Sequence, residues 1–186
     1  MNETLNVIKS RRSIRKFTEK QLQEEDLQAI LEAALFAPSA GNAQPWHFTV
    51  VQNKALIDEL AQTAKDAIVA GGRSPYQEMA QREDFHVFYH APTIIIISGN
   101  PKAGFIHADC AAAAQNILLA AEALGLGSCW IGLVMMILHG EQGAAWCKKL
   151  EIPAGYEPVH VLALGYKAQA KIPAPERKKN CINFIR

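Results

Sequence analysis

Leu27, Ile30, Leu31, Ala34 and Leu35 repeat at i, i+3, i+4, i+7 and i+8, which predicts an amphipathic helix that Pro38 and Gly41 bring to an end. The run Trp46 to Val51 (WHFTVV) then reads as a strand. Asn53 is placed to cap a second helix whose Leu56, Leu60, Ala64 and Ala67 share a face, and a polar Gly-Gly-Arg-Ser-Pro loop follows at 71–75. Ile94 to Ser98 is a short β-branched run bounded by Pro92 and Gly99, as expected of a strand buried on both faces. Ala108 to Leu124 is apolar nearly all round, which predicts a core helix packed on several sides and closed by Gly125 and Gly127. A strand near Cys129–Ile131, a helix around 140–149 and a strand at Val159–Leu164 complete the pattern, while residues 76–90 fit neither period. Helices alternate with few strands and no repeat or linker is visible, so the class is α/β or α+β with a small central sheet.

The chain of 186 residues, 49% apolar, is long enough to bury one sizeable core without disulfides or metals. No stretch reaches the roughly 20 apolar residues needed to cross a bilayer, and the first residues lack the apolar core of a signal peptide, so a cytoplasmic location is expected. Four cysteines stand far apart without a C-x-x-C pair, which suggests neither a disulfide framework nor a zinc site.

The net charge of +1 conceals a segregation of sign. Residues 1–20 hold six Lys/Arg against two Glu, residues 166–186 hold six against one, and the chain between them is acidic, with seven basic and fifteen acidic residues. Basic termini suit either an anionic ligand or simple solvation of chain ends. An acidic body without an aromatic-interleaved basic stripe argues against nucleic acid. Some 20 residues at the C-terminus lack a core of their own yet contain Ile182, Phe184 and Ile185, so docking on a partner subunit is expected.

Several familiar chemistries are excluded by their missing residues. Gly125-Leu-Gly127 follows a helix and lacks the third glycine of a dinucleotide fingerprint. There is no phosphate-binding G-x-x-x-x-G-K-[ST] loop and no G-x-S-x-G elbow, and His86 with His90 has the i, i+4 spacing of a metalloprotease helix without its glutamate. Two groups remain. Arg11, Ser13 and Arg15 alternate, so an extended stretch aims guanidinium and hydroxyl donors to one side while Ile14 packs inward, an arrangement suited to a terminal phosphate. Ala37 to Trp46 (APSAGNAQPW) combines small residues with side-chain amides, which allows close approach to a flat polar-edged ligand, although a plain Asn/Gly turn has the same composition.

These groups, in order, are Arg11-Arg12-Ser13-Ile14-Arg15, Pro38-Ser39-x-x-Asn42-x-Gln44-Pro45-Trp46 and Gly125-Leu-Gly127-Ser-Cys-Trp130-Ile131-Gly132. With Asp109, Ala114 to Ala121 and Leu164-Gly165-Tyr166, they resemble the nitroreductase family over nearly the whole chain. The resemblance implies an α+β, α/β-like fold in which a small, mostly antiparallel sheet is surrounded by helices. One domain would span 1–186, with a C-terminal extension, 167–186, embracing a homodimer partner.

The resemblance also implies FMN at the subunit interface. Arg11, Arg12, Ser13 and Arg15 would hold its phosphate and ribityl groups, and Pro38, Ser39, Ala40 and Asn42 would reach it from the other subunit. Trp130, Ile131 and Gly132 would lie along the ring, and Arg177 and Lys179 would close over the phosphate, although Lys179 replaces a common arginine and Asn180–Asn183 departs from the family pattern.

The implied activity is ping-pong transfer of hydride from NADH or NADPH, through FMN, to nitroaromatic, quinone or related small aromatic acceptors. Flavin reduction, ene reduction or reductive dehalogenation on the same scaffold, or a non-catalytic flavin-binding or sensing role, are the alternatives. Tyr76, Phe85, Phe88 and Tyr89 form either an aromatic lid or the buried face of a helix.

Overall fold

A computed structural model of the chain describes residues 2–71, 75–169 and 172–186; residues 72–74 of the expected loop at 71–75 lie outside them. The chain begins with α1 (Glu3–Ser10), whose Asn2 side chain accepts a hydrogen bond from the Thr4 amide at 2.9 Å. It continues through α2 (Glu24–Leu35), β1 (Trp46–Val51), α3 (Lys54–Ala70) and the single turn α4 (Gln77–Ala80). The second half runs β2 (Thr93–Gly99), α5 (Ile106–Ala123), β3 (Gly127–Ile131), α6 (Met135–Leu138), α7 (Gly143–Lys149) and β4 (Glu157–Gly165).

The four strands pair antiparallel throughout in the order β1-β2-β4-β3, which gives the small antiparallel sheet of the expected α+β class. Side chains alternate across it. Ile94, Ile96, Val161 and Ala163 face a core closed by α3, α6, α7 and the 87–91 segment, whereas Ile95, Ile97, Leu162 and Leu164 face α2 and α5. Ile94 to Ile97 are fully enclosed, and burying each of these side chains contributes about 2 kcal/mol relative to leaving it exposed. This is the physical content of the unbroken isoleucine run.

Helix ends follow local chemistry. Asn53 Oδ1 accepts from the Leu56 amide at 3.1 Å at the start of α3. After α5, Gly125 takes φ +76° and Leu126 N donates to Ala121 O at 2.8 Å, a turn that a residue without a Cβ enters free of strain. The expected helix at 140–149 instead starts at Gly143, because Gly140–Gly143 forms a turn after the extra one-turn helix α6. A Cβ on Gly143 would stand 2.3 Å from Leu138 O.

The stretch after α1 meets the edge strand β3 at Ser13 and Ile14, and the residues following β4 at Lys16 to Thr18. Ser13 bridges Ser128, the Ile14 amide donates to Ser128 O at 2.9 Å, and Ala168 N donates to Lys16 O at 3.0 Å. The helix that leads into this stretch, α1, packs on α5 without burying any residue of its own, leaving Leu5 and Ile8 about half exposed.

Candidate functional site

Arg11, Ser13 and Arg15 face one way. All three act on the same buried thiol, Cys129 in β3: burial pushes it up, while the Arg15 charge, a hydrogen bond with Ser13 and the Arg11 charge pull the other way. Ile14, between them, is turned into the core at 4% exposure. The expected alternation is therefore present, and neither Arg11 nor Arg15 has a carboxylate in ion-pair range among the described residues. Gln169 Oε1 accepts from the Arg15 amide at 3.0 Å, tying this row to the residues after β4.

Arg12 commits part of its guanidinium to the main chain. Its Nη1 donates to Lys9 O and Arg11 O, both at 2.7 Å, closing the end of α1, while its Nε is buried without a hydrogen-bond partner among the described residues. Further along β3, Trp130 is 37% exposed with its ring 4.6 Å from that of His160 and Ile131 is buried, and just past the strand a Cβ on Gly132 would meet no atom within 4 Å.

The Pro38–Asn42 segment is as sharply built. Ala40 N donates to Asp109 Oδ1 at 3.0 Å, Gln44 N to Ser39 Oγ at 3.0 Å, and Gln44 Nε2 to Asn42 Oδ1 at 3.1 Å. Gly41, Asn42 and Gln44 all adopt left-handed φ values of 57°, 56° and 44°, a costly sequence of torsions that these bonds hold in place. Asp109 is 5% exposed, and its Oδ2 has no partner among the described residues.

The two segments do not meet within one chain. Pro38–Asn42 precedes β1 at one edge of the sheet, and the Arg11–Arg15 row lies on β3 at the other edge. Three strand spacings separate the edges, about 14 Å, and the pairings Trp46–Gly99–Glu157 and Ser128–Leu164 add about 23 Å along the strands. Arg177 and Lys179 are exposed in a tail where Arg177 Nη1 donates to Pro175 O and Cys181 Sγ to Lys178 O, bonds that stay within the tail.

A cavity of about 500 Å³ opens between Arg15–Phe17 and residues 79–90. Its walls include Met79, Phe85 and Tyr89, with Arg15, Lys16 and the Arg82–Asp84 ion pair at 2.8 Å supplying charge. The aromatic residues of this region divide: Phe85 and Tyr89 line the cavity, Phe88 is fully buried in the core, and Tyr76 is half exposed.

Asp58 and His86 went unnoticed as a pair in the sequence because they are 28 residues apart, on α3 and in a turn, yet they approach to 3.3 Å. The His86 Nδ1 accepts from both Phe88 N and His90 N, each at 3.2 Å, which leaves the ring proton on Nε2, donated to Asp58 Oδ1. Burial, followed by the neighbouring His90, pushes His86 down to about 4 against the opposing pull of Asp58. Partial burial works against Asp58, but hydrogen bonds from Lys54 and His86 hold its carboxyl below the ordinary value. Asp58, His86 and His90 bring potential ligand atoms within 4.8 Å of one another. The single lone pair of His86 is already committed to two main-chain N–H groups, so the trio is arranged as a hydrogen-bonded lock rather than a cation site.

Fold and site together define an α+β protein with a row of guanidinium and hydroxyl donors at the edge of its sheet. A sequence model described as the Nitroreductase family matches residues 8–166. A protein of Archaeoglobus fulgidus, provisionally named NADH dehydrogenase/NAD(P)H nitroreductase, is 35% identical over 176 residues, covering 92% of this chain and 89% of its own length. Two solved nitroreductases with bound FMN superpose over 100% of both chains at a TM-score of 0.91: one from Bacteroides fragilis at 36% identity and one from Desulfitobacterium hafniense at 33%. This chain belongs to the nitroreductase family and is an oxidoreductase of that family.

Proposed function

We propose that the chain is an FMN-dependent NAD(P)H oxidoreductase working as a cytoplasmic homodimer, with a nitroaromatic, quinone or related small aromatic compound as acceptor. The observation that carries this reading is the Arg11–Ser13–Arg15 row, three phosphate donors aligned along β3 without a carboxylate to neutralise them. The donor set suits the cofactor, since guanidinium groups grip a phosphate through charge-assisted bonds and the buried Arg12 Nε offers one more donor. Open space beside Gly132 and the exposed Trp130 leave room for a flat ring along the end of β3.

In this reading FMN, when bound, supplies the redox chemistry, taking hydride from NADH or NADPH and passing it to the acceptor in a ping-pong cycle. The chain's own residues bind and orient. Arg11, Arg12, Ser13 and Arg15 hold the phosphate and ribityl end, and Trp130, Ile131 and Gly132 flank the ring. Pro38, Ser39, Ala40 and Asn42, stranded at the far edge of their own sheet, serve the site of the second copy. The tail from 167 to 186 then reaches across the dimer, covering Ile182, Phe184 and Ile185, each at least 71% exposed in the single chain, and bringing Arg177 and Lys179 toward the phosphate.

The cavity beside Arg15 favours turnover over flavin storage or sensing, because it leaves space where a small aromatic molecule can enter. The test is the visible spectrum of the purified protein before and after anaerobic addition of NADH or NADPH. Flavin bands that bleach are expected. Bands that persist with both donors would leave a binding role, and a colourless protein after FMN reconstitution would refute the reading.

A further inference from the structure

Tyr89 and His90 both sit at φ +55°, a conformation that costs a non-glycine residue about 1 to 2 kcal/mol and is rarely entered twice in succession. Such a pair persists only where its surroundings impose it. Here the imposition has an identifiable source, since His86 Nδ1 collects the amides of Phe88 and His90 while its carbonyl accepts from the Tyr89 amide at 2.8 Å. The ring itself is held by Asp58 from α3 and covered by the His90 ring, whose centre is 4.2 Å away. One residue thus ties down three successive main-chain amides, two through its ring and one through its carbonyl.

The outcome of the turn is the placement of Tyr89. Its ring meets the Arg15 guanidinium, with Cζ 5.8 Å from the ring centre, and forms part of the wall of the 500 Å³ cavity. Were the turn to relax toward ordinary negative φ, the Tyr89 side chain would leave this position, and the wall between Arg15 and Phe85 would open.

We propose that Tyr89 determines which acceptors enter the cavity, and that His86, buttressed by Asp58, is the positioning residue that seats it. This inference rests on the reading of the cavity as the acceptor side of an FMN site. It assigns a role to a buried histidine and a strained turn that cofactor binding alone does not require.

The experiment compares a small and a bulky acceptor, 1,4-benzoquinone and 2-methyl-1,4-naphthoquinone, on the FMN-loaded protein with NADH or NADPH. The readout is the ratio of kcat/KM for the two within each preparation, which cancels differences in FMN content. Tyr89→Ala should shift the ratio at least tenfold toward the bulky quinone, and His86→Leu, which lacks the Nδ1 acceptor, should shift it the same way. His86→Asn, whose carboxamide oxygen falls where Nδ1 stands, should return the ratio to the wild-type value. An unchanged ratio in Tyr89→Ala overturns the assignment of Tyr89. A shift in Tyr89→Ala with the wild-type ratio in His86→Leu, or an equal shift in His86→Asn and His86→Leu, overturns the positioning role. Should His86→Leu fail to fold, Asp58→Leu replaces it, with the same shift expected and an unchanged ratio counting against the lock. If neither quinone is reduced although the flavin bleaches, the acceptor reading of the cavity falls and the inference with it; if the flavin does not bleach, the oxidoreductase reading itself falls.

Discussion

Gly127 and Ile14 are in contact so close that a Cβ on Gly127 would stand 2.9 Å from Ile14 Cγ2 and 3.1 Å from Ile14 Cβ. The absence of a side chain at the first residue of β3 is what lets the Arg11–Arg15 row lie against the sheet edge, and Lys167 Cγ closes the same space at 3.1 Å. Gly127→Ala should push this row outward. Overpacking of this kind costs about 1 to 3 kcal/mol, and FMN affinity should fall about tenfold as the donors lose alignment. Denaturant melts and fluorescence titration with FMN check both effects; a variant with wild-type stability and affinity would show that the row tolerates displacement.

Arg15 is expected to contribute more directly. A hydrogen bond to a charged phosphate is worth about 1.5 to 3 kcal/mol, so Arg15→Ala should weaken FMN by about one to two decades. Titration at fixed ionic strength measures this. Unchanged affinity would remove Arg15 from the cofactor site, leaving its contact with Tyr89 as its main role.

The Asp58–His86 lock has a signature in pH. His86 is neutral in the folded protein down to about pH 4, whereas in the unfolded chain it takes up a proton near its ordinary value of 6.5. Between these values the unfolded state binds the additional proton, so the stabilisation is fully present above 6.5 and is lost as pH falls toward 4. Over the whole window the loss amounts to about 3 kcal/mol. The charged groups around the ring are Asp58, Lys54 and the neighbouring His90, and hydrogen bonds from Lys54 and His86 hold the Asp58 carboxyl below its ordinary 3.8. His86→Asn has no proton to gain at this position, so the stability difference between it and the wild-type protein should narrow by about 3 kcal/mol between pH 7 and pH 4. A difference that stays constant would mean that the ring is not held neutral.

Sequence periodicity was informative wherever an element owes its form to its own residues. Trp46–Val51 is the first strand to the residue, the four isoleucines form the central buried strand, and Asn53 caps the helix it precedes. The alternation of Arg11, Ser13 and Arg15 was equally legible, because a backbone extended beside β3 keeps its two-residue period. Residues 76–90 were not. Apart from one turn of helix, their shape is imposed from outside by Asp58 on α3 and by His86 bonding main-chain groups, so no local period exists to be read. The i, i+4 spacing of His86 and His90 did indicate proximity, since their rings meet at 4.2 Å, but through a left-handed turn and not along a helix face. What the basic run did not reveal is the local task of Arg12, whose Nη1 binds the carbonyls at the end of α1.

The separation of the two half-sites gives the most demanding test of the shared-site proposal. Arg11 and Asn42 lie at opposite edges of one sheet, so a site completed by a second copy takes Arg11 from one subunit and Asn42 from the other. Arg11→Ala and Asn42→Ala should each weaken FMN in their own homodimers, where both sites carry the lesion. In a heterodimer of the two variants, one site collects both substitutions and the other collects neither. Unfolding and refolding an equal mixture should therefore restore wild-type affinity to about a quarter of all sites, since half of the dimers are mixed and each mixed dimer contains one intact site. A site built within a single chain predicts no recovery, because every chain in the mixture carries a lesion. Tight FMN binding that appears on mixing, and is absent from either variant refolded alone, would establish the dimer and the exchange of residues across it in one measurement.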